Sequence, residues 1–464
     1  MFSLSLTHIS EGVAVSQLLP AESSDRRRFR EKIAANTAEI FGQEMLVDRV
    51  YPIRPGSRFA IFTWGGCVIQ VQGNVNQEYE ASNNSMKEYL NFAIILDSRR
   101  ELAALRGTIG PRLMLVGAAS SGKSSVCHIL SQYALKTAWN PIYIELDPRC
   151  STDKDSVQFL PGMIGATVVG GLQEEEPQNP LSFYFGHMDV QDEPKLYLHV
   201  RLFFCGVVFI AKIGFIINAP YLASTELLEE LIDIFKVDIV AVVDNPSLKQ
   251  NMIERYFVQG NPSGSYPEED AFSSINGNAE PEKLEGETAV SVVGISKMEG
   301  AVVVRSHLFS LRRLRWRTYF LGSVSSPLKP QTLRIRYSDY YFLRYDALAA
   351  IPLSALPADH AAVADETVEV SPWNGSPKTL LNAILCVSGS NDLGFVSKCP
   401  IACILHVRNI EEKATNEVGD GESPAGVEYI IDLWCPLVID GKLFSRHIIV
   451  PSDLKQLKWH SDTF

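Results

Sequence analysis

The sequence has no zinc-ligand pattern, no membrane-length apolar run and no excess of positive charge. Its eight cysteines, Cys67, Cys127, Cys150, Cys205, Cys386, Cys399, Cys403 and Cys435, include no Cys-x-x-Cys pair and no histidine at matching spacing. That excludes the common zinc modules and leaves reduced, mostly buried thiols. The most apolar stretch, Leu202 to Ala211, is enclosed by Arg201 and Lys212. It falls far short of the roughly 20 residues a membrane span requires, so no membrane partner is expected. With 42 Lys and Arg against 54 Asp and Glu, the net charge is −12. A broad nucleic-acid-coating surface is excluded, and any RNA contact must be confined to a patch. Two basic runs qualify, Arg26-Arg27-Arg28-Phe29-Arg30 and Arg312 to Arg317, each also readable as a solvated charge cluster. No basic stretch follows Met1 and Glu11 interrupts the first segment, so no secretory leader is expected.

What is present suits folded domains. At 464 residues, 46% apolar and 21% charged, the chain is long enough for two or three cores. Residues 58–64 and 67–72 read as two strands joined by Gly65-Gly66, with Ile69 and Val71 alternating against Gln70 and Gln72. The first ninety or so residues therefore form a small β-rich domain. Ile94, Ile95, Leu102 and Leu105 approximate helical spacing and suggest a helix over 91–106 connecting it to the next domain.

From Arg112 the pattern becomes strand, Gly-rich turn, helix. Strands over 112–116, 141–147, 215–218 and 237–244 alternate with helices over 124–135 and 224–235, which implies a doubly wound parallel sheet. A Gly-, Pro- and acid-rich insertion over 259–288 and a Pro/Ala linker over 351–364 follow. Beyond the linker, β-leaning segments at 380–387, 401–407 and 428–433 make a third domain. The expected units are 1–105, 106–330 and 331–464: an α/β chain with a central P-loop sheet between an N-terminal β-sandwich and a small C-terminal β-rich domain.

Gly117-Ala118-Ala119-Ser120-Ser121-Gly122-Lys123-Ser124 satisfies G-x-x-x-x-G-K-[ST] between a predicted strand and a predicted helix. Its glycines let the backbone wrap phosphates, and successive N–H groups with the helix N-terminus supply positive potential. Ser120, Ser121, Gly122, Lys123, Ser124 and Ser125 are the expected contacts for ATP. Lys123 reaches the β- and γ-phosphates, and the Ser124 hydroxyl ligates Mg2+. Asp147 ends the next strand at the ligand-binding edge of such sheets. It orients magnesium, or accepts a proton from an attacking hydroxyl, or forms a turn before Pro148. The arginines at 312, 313, 315 and 317 are either a phosphate lid or the solvated face of an amphipathic helix.

Further short segments, in order along the chain, carry a resemblance: Thr37 to Gly42, Phe59 to Trp64, the P-loop with Ile144-Glu145-Leu146-Asp147, Pro161-Gly162, Phe235 to Asp238 leading to Asp244, and Tyr319 to Gly322. The chain resembles the polynucleotide 5′-hydroxyl-kinase family that includes the P-loop subunit of the pre-mRNA 3′-end cleavage and polyadenylation factor. The resemblance implies an N-terminal sandwich that helps hold adenine, a P-loop kinase-like domain and a smaller C-terminal domain. It implies a nuclear protein that binds ATP and joins a scaffold subunit and other 3′-end processing subunits, with RNA ends as substrate in active members. Carried over by position, Asp147 is the base, Arg312 and Arg315 are the lid, Arg58 replaces a lysine near the nucleotide, and Glu11 matches the adenine-contacting glutamate. Two motifs depart from the active kinases. Pro148-Arg149-Cys150 stands for Gly-Gln-Gly, and Ala219-Pro220-Tyr221-Leu222 stands for the Thr-x-Gly-Trp that clamps RNA. An intact cradle with an altered clamp implies an assembly subunit with structural ATP; the alternative is an active RNA 5′-hydroxyl kinase.

Overall fold

The computed structural model describes residues 2–9, 13–18, 37–53, 59–72, 75–81, 84–149, 159–170, 180–199, 212–221, 224–260, 290–298, 305–322, 327–347, 368–414, 427–436 and 442–451. The basic run at 26–30, Leu202 to Ala211, the linker over 351–364 and nearly all of the acidic insertion lie outside them.

Eight N-terminal strands form two sheets. These are β1 (Phe2–Ile9), β2 (Val13–Leu18), β3 (Ala38–Ile40), β4 (Gln43–Glu44), β5 (Val50–Ile53), β6 (Phe59–Thr63), β7 (Val68–Gln72) and β8 (Val75–Glu80). One sheet has the order β4-β3-β6-β1-β8 and the other β5-β2-β7. The two strands flanking Gly65-Gly66 are thus β6 and β7, and the turn carries the chain from one sheet to the other. The Gly66 N–H donates to Thr63 Oγ1 at 3.1 Å, and Gly66 adopts φ +90°, which redirects the backbone. Along β7, Ile69 and Val71 are half-buried while Val68, Gln70 and Gln72 are exposed, the period-2 pattern of a sheet with one wet face.

The central sheet comprises β9 (Arg112–Gly117), β10 (Ile142–Glu145), β11 (Met163–Val168), β12 (Leu181–Tyr184), β13 (Phe215–Asn218), β14 (Ile239–Val243) and β15 (Ser291–Ile295). Its order is β12-β11-β10-β13-β9-β14-β15. The run from β10 to β15 is parallel, whereas β11 and β12 add an antiparallel edge. Side chains of β9 alternate between two cores. Leu113 and Leu115 pack with α1 (Met86–Arg106) and α2 (Lys123–Lys136). Met114 and Val116 pack on the other face with α3 (Thr225–Phe235), α4 (Pro246–Gly260) and α5 (Arg305–Leu321). Helices on both faces bury every strand of a parallel sheet, which explains the continuous apolar runs.

The helix expected over 91–106 forms, but its buried face differs. Tyr89, Phe92, Ala93, Ile95, Leu96, Arg100 and Ala103 face the core, while Ile94, Leu102 and Leu105 are exposed, Leu105 at 84%. Spacings of three and four from Tyr89 to Ala103 define one face, and three of its positions are Ala93, Arg100 and Ala103. Arg100 is buried and pairs with Asp97 at 2.5 Å. The helix therefore contributes to the central core rather than merely linking two domains.

Two joints hold the flanking sheets to the centre. Tyr133 Oη of α2 donates to Glu39 Oε1 on β3 at 2.6 Å, and Lys136 Nζ donates to Glu39 Oε2 at 3.0 Å. The adjoining turn has Phe41 at φ +50° and Gly42 at φ +84°, and a Cβ on Gly42 would stand 3.1 Å from the Ile129 backbone. Only glycine fits both the φ and the close approach. At the other end, a seven-stranded sheet comprises β16 (Gln331–Arg336), β17 (Tyr341–Ala347), β18 (Val368–Pro372), β19 (Ile384–Ser388), β20 (Ile401–Ala414), β21 (Val427–Cys435) and β22 (His447–Ile449). Its His406 and Trp434 rings lie 6.1 and 6.4 Å from Phe320 of α5, and the Ile404 N–H donates to Tyr319 Oη at 3.1 Å.

Gly42→Ala is expected to loosen the first joint, costing about 1–2 kcal/mol for the left-handed backbone alone. Chemical denaturation should show a lower midpoint, and proteolysis should release the N-terminal segment sooner; an unchanged midpoint would contradict a backbone-to-backbone contact there.

Candidate nucleotide site

The cradle is assembled at the carboxyl edge of the parallel strands, where β9 runs into the loop 117–122 and then into α2. Gly117 at φ +152° lies so near β14 that a Cβ would meet Val243 O at 2.8 Å, and Gly122 opens the helix at φ +96°. Ser120 takes a left-handed φ of +57° and is exposed, Ser124 and Ser125 are half-buried, and Ser121 and Lys123 are buried. Such a loop turns its backbone N–H groups toward a bound anion.

Lys123 Nζ donates to Gly117 O at 2.9 Å and Ala118 O at 3.1 Å, folded back on its own loop. Burial pushes its pKa down from the usual lysine value; Asp147 opposes that shift, Arg149 adds to it and Glu145 opposes it again. A phosphate would supply the negative charge that this buried ammonium requires. The buried Ser121 Oγ has no hydrogen-bond partner. These observations fit a polyphosphate.

Behind the loop, the parallel register pairs Glu145 of β10 with Asn218 of β13. Asn218 Nδ2 donates to Ser124 Oγ at 3.0 Å and to Glu145 Oε1 at 2.8 Å, while Asn218 Oδ1 is buried without a partner. Tyr143 Oη donates to Glu145 Oε2 at 2.7 Å, and the Asp147 N–H donates to Glu145 Oε1 at 3.0 Å. The Ser124 hydroxyl is thus oriented by a buried amide that is itself held by a buried carboxyl. Burial, then repulsion from Asp147, pushes the Glu145 pKa up to about 7 against the three donors. Among the described residues no group of three His, Cys, Asp or Glu could hold a metal on its own. Ser124 is the residue that would hold a magnesium ion, whose charge would offset that of a polyphosphate.

Asp147 is buried and lies beside this network. Arg149 Nε donates to Asp147 Oδ1 at 3.0 Å and Nη2 to Oδ2 at 2.8 Å, and the Arg149 N–H adds a bond to Oδ1 at 3.1 Å. The guanidinium carbon lies 3.5 Å from the Tyr221 ring centroid.

The structure therefore brings Ser121, Gly122, Lys123, Ser124 and Asp147 together. Arg312, Arg313 and Arg315 are half-buried on α5, each engaged by neighbouring groups, and Arg317 is exposed. This helix sends Trp316 and Phe320 into the core on the sheet face opposite α2. Glu11 and Arg58 lie outside the described residues. Sequence reasoning missed Glu145 and Asn218 as site residues. Their signal was faint: a polar residue at the end of an apolar strand, and a carboxyl two positions before Asp147.

Because Glu145 keeps its proton to about 7 when folded and to 4.5 ordinarily, its contribution to stability is full below 4.5 and is lost as pH rises through 7. In nucleotide-free protein, the denaturation midpoint of wild type should fall relative to Glu145→Gln between about pH 5 and 8. Parallel pH profiles would contradict the shift.

Two family models match the chain and together span half of it. One is the N-terminal beta-sandwich domain of polyadenylation factor, over residues 18–103, and the other is the mRNA cleavage and polyadenylation factor CLP1 P-loop, over residues 117–262. A CLP1 homolog of Nematostella vectensis is 28% identical over 386 residues, covering 78% of this chain and 79% of that protein. An Arabidopsis thaliana CLP1 homolog is 27% identical, covering 83% and 84%. A Xenopus tropicalis protein named polyribonucleotide 5′-hydroxyl-kinase Clp1 is 32% identical over 239 residues, covering 48% and 54%. The fold is shared with the solved structure of a wild-type Clp1p–Pcf11p complex, at a TM-score of 0.69 and 19% identity, covering 98% of this chain and 96% of that one. A nucleotide-binding P-loop, a preceding sandwich and relatives matched across most of their length establish that this chain belongs to the CLP1 family of mRNA cleavage and polyadenylation factors.

Proposed function

We propose that this protein is an ATP-binding subunit of the nuclear mRNA 3′-end cleavage and polyadenylation machinery, in which bound ATP with Mg2+ is structural. The observation that carries the reading is the pairing of an intact phosphate cradle with an Asp147 whose two carboxylate oxygens are both taken by Arg149. Phosphoryl transfer is chiefly positioning and electrostatics, so a site that holds the triphosphate without a clear position for the acceptor binds rather than turns over. Lys123 and the loop N–H groups hold the phosphates, Ser121 adds a hydroxyl, and Ser124 holds the metal, which neutralises phosphate charge.

Ligand at about 100 times its dissociation constant adds roughly 2.7 kcal/mol to the folded state, comparable with a large share of a domain's stability. That energy would be delivered to α2, the helix that also carries the joint to the N-terminal sandwich. We infer that the three units run 1–105, 106–330 and 331–464, with α1 at the end of the first packed into the core of the second, and that ATP stiffens these two as a platform. The partners on this reading are a scaffold subunit of the cleavage factor and other 3′-end processing subunits; the structural relative Clp1p was solved in complex with Pcf11p.

The second reading is a polynucleotide 5′-hydroxyl kinase acting on RNA ends, with Asp147 as base and Arg312 and Arg315 as lid. It is favoured by Asp147 standing close enough for its charge to act on Lys123, and by the kinase name of the Xenopus relatives.

Denaturing the purified protein and chromatographing the released nucleotide should yield intact ATP near one per chain, and Lys123→Ala should yield none and melt earlier. ADP, or an empty site in wild type, would favour the kinase.

A further inference from the structure

Two chain segments that follow neighbouring strands meet beside the cradle. Because Glu145 of β10 lies opposite Asn218 of β13, the residues just beyond each strand, Asp147 to Arg149 and Ala219 to Tyr221, leave the sheet side by side. The Arg149 side chain is 18% exposed and that of Asp147 10%, so the ion pair is largely withdrawn from water. Its guanidinium presents two N–H groups to the carboxylate at 3.0 and 2.8 Å, and the ring of Tyr221 closes over it at 3.5 Å. A guanidinium so held is fixed by a planar two-pronged pair and by an aromatic face.

The position matters because of what a transfer step needs. An acceptor hydroxyl forms a bond to the γ-phosphorus, the bond from that phosphorus to the β–γ bridging oxygen breaks with its electron pair leaving on ADP, and the hydroxyl proton passes to a carboxylate. Asp147 is the carboxylate whose charge acts most strongly on Lys123. Both oxygens of that carboxylate accept from the Arg149 guanidinium, a group that only donates.

We propose that Arg149, clamped by Tyr221, is an intramolecular plug of the acceptor subsite: it stands where the hydroxyl of a 5′-hydroxyl polynucleotide end, or a water, would lie. This rests on the nucleotide reading of the P-loop and specifies why the site retains its triphosphate. Arg149 is a gating residue, acting through its hold on Asp147.

The test uses the full-length protein loaded with ATP and Mg2+, as wild type, Arg149→Gln, Arg149→Lys, and Arg149→Gln combined with Asp147→Asn. Two readouts are taken: fluorescence anisotropy with a 3′-labelled 5′-hydroxyl oligoribonucleotide beside its 5′-phosphorylated twin, and phosphate release from bound ATP. Arg149→Gln is expected to bind the 5′-hydroxyl oligonucleotide at least about tenfold more tightly than wild type, with no gain for the phosphorylated twin. It should also release phosphate at least about a hundredfold faster, a gain abolished by Asp147→Asn, as for a base freed to act. Arg149→Lys, which keeps a cation but neither fork nor stack, should fall between. Equal affinity and equal release in wild type and both single variants, with ATP still bound, overturns the proposal. Loss of all bound nucleotide, ATP and ADP alike, from Arg149→Gln also overturns it, because Arg149 would then be a nucleotide contact. Failure of the structural-ATP reading appears elsewhere, as ADP in wild type as purified, and leaves the plug to be judged on the difference between wild type and variants.

Discussion

The site depends on one register. Parallel pairing of β10 with β13 sets Glu145 opposite Asn218, and that match hands Asn218 Nδ2 to both Ser124 and Glu145. A slip by one residue would turn each of these side chains to the other face of the sheet. The buried amide and carboxyl would then lose their partners inside an apolar core, where unsatisfied polar groups are costly. The register also decides which loop residues leave the two strands together, and so places Arg149 against Tyr221. One backbone alignment governs the metal-side hydroxyl and the acceptor side alike.

Around this alignment the flanking sheets act as braces on opposite faces. The N-terminal sheet reaches α2 through Glu39 and the Gly42 turn. The C-terminal sheet grips α5 through Phe320, His406 and Trp434, and shares a continuous core with the opposite face of the central sheet. Any change in the loop at the start of α2 is therefore felt at a joint a few turns along the same helix. This is the physical content of calling a bound nucleotide structural: its contacts and the inter-domain contacts share one rigid element.

Much of this was legible in the sequence, unevenly. Gly117 to Ser124 was readable because each position has a backbone or phosphate task that few residue types can perform. The alternation of strand and helix after Arg112 was readable because buried parallel strands are continuously apolar. The face of α1 was misread because its inward positions include Ala93 and Arg100, while the conspicuous Ile94, Leu102 and Leu105 point outward. The antiparallel strands β11 and β12 went unnoticed, since neither has a helix to frame it. Glu145 and Asn218 belong to strands separated by another pair of strands in the sequence, and Arg149 and Tyr221 stood out only as departures from a motif. No local pattern reports a pairing made by sheet topology.

The place of β13 in the sheet has a consequence in time. It lies between β9 and β10, though both precede it in the chain. During synthesis the P-loop strand and the strand ending near Asp147 emerge without the element that separates them, and cannot pair as neighbours in the final order. The phosphate cradle thus cannot be completed until Asn218 is made, and closing so long a loop is slow. A nascent chain of this protein would reach its nucleotide-binding state late, with the N-terminal sandwich waiting on a helix whose own sheet is still open.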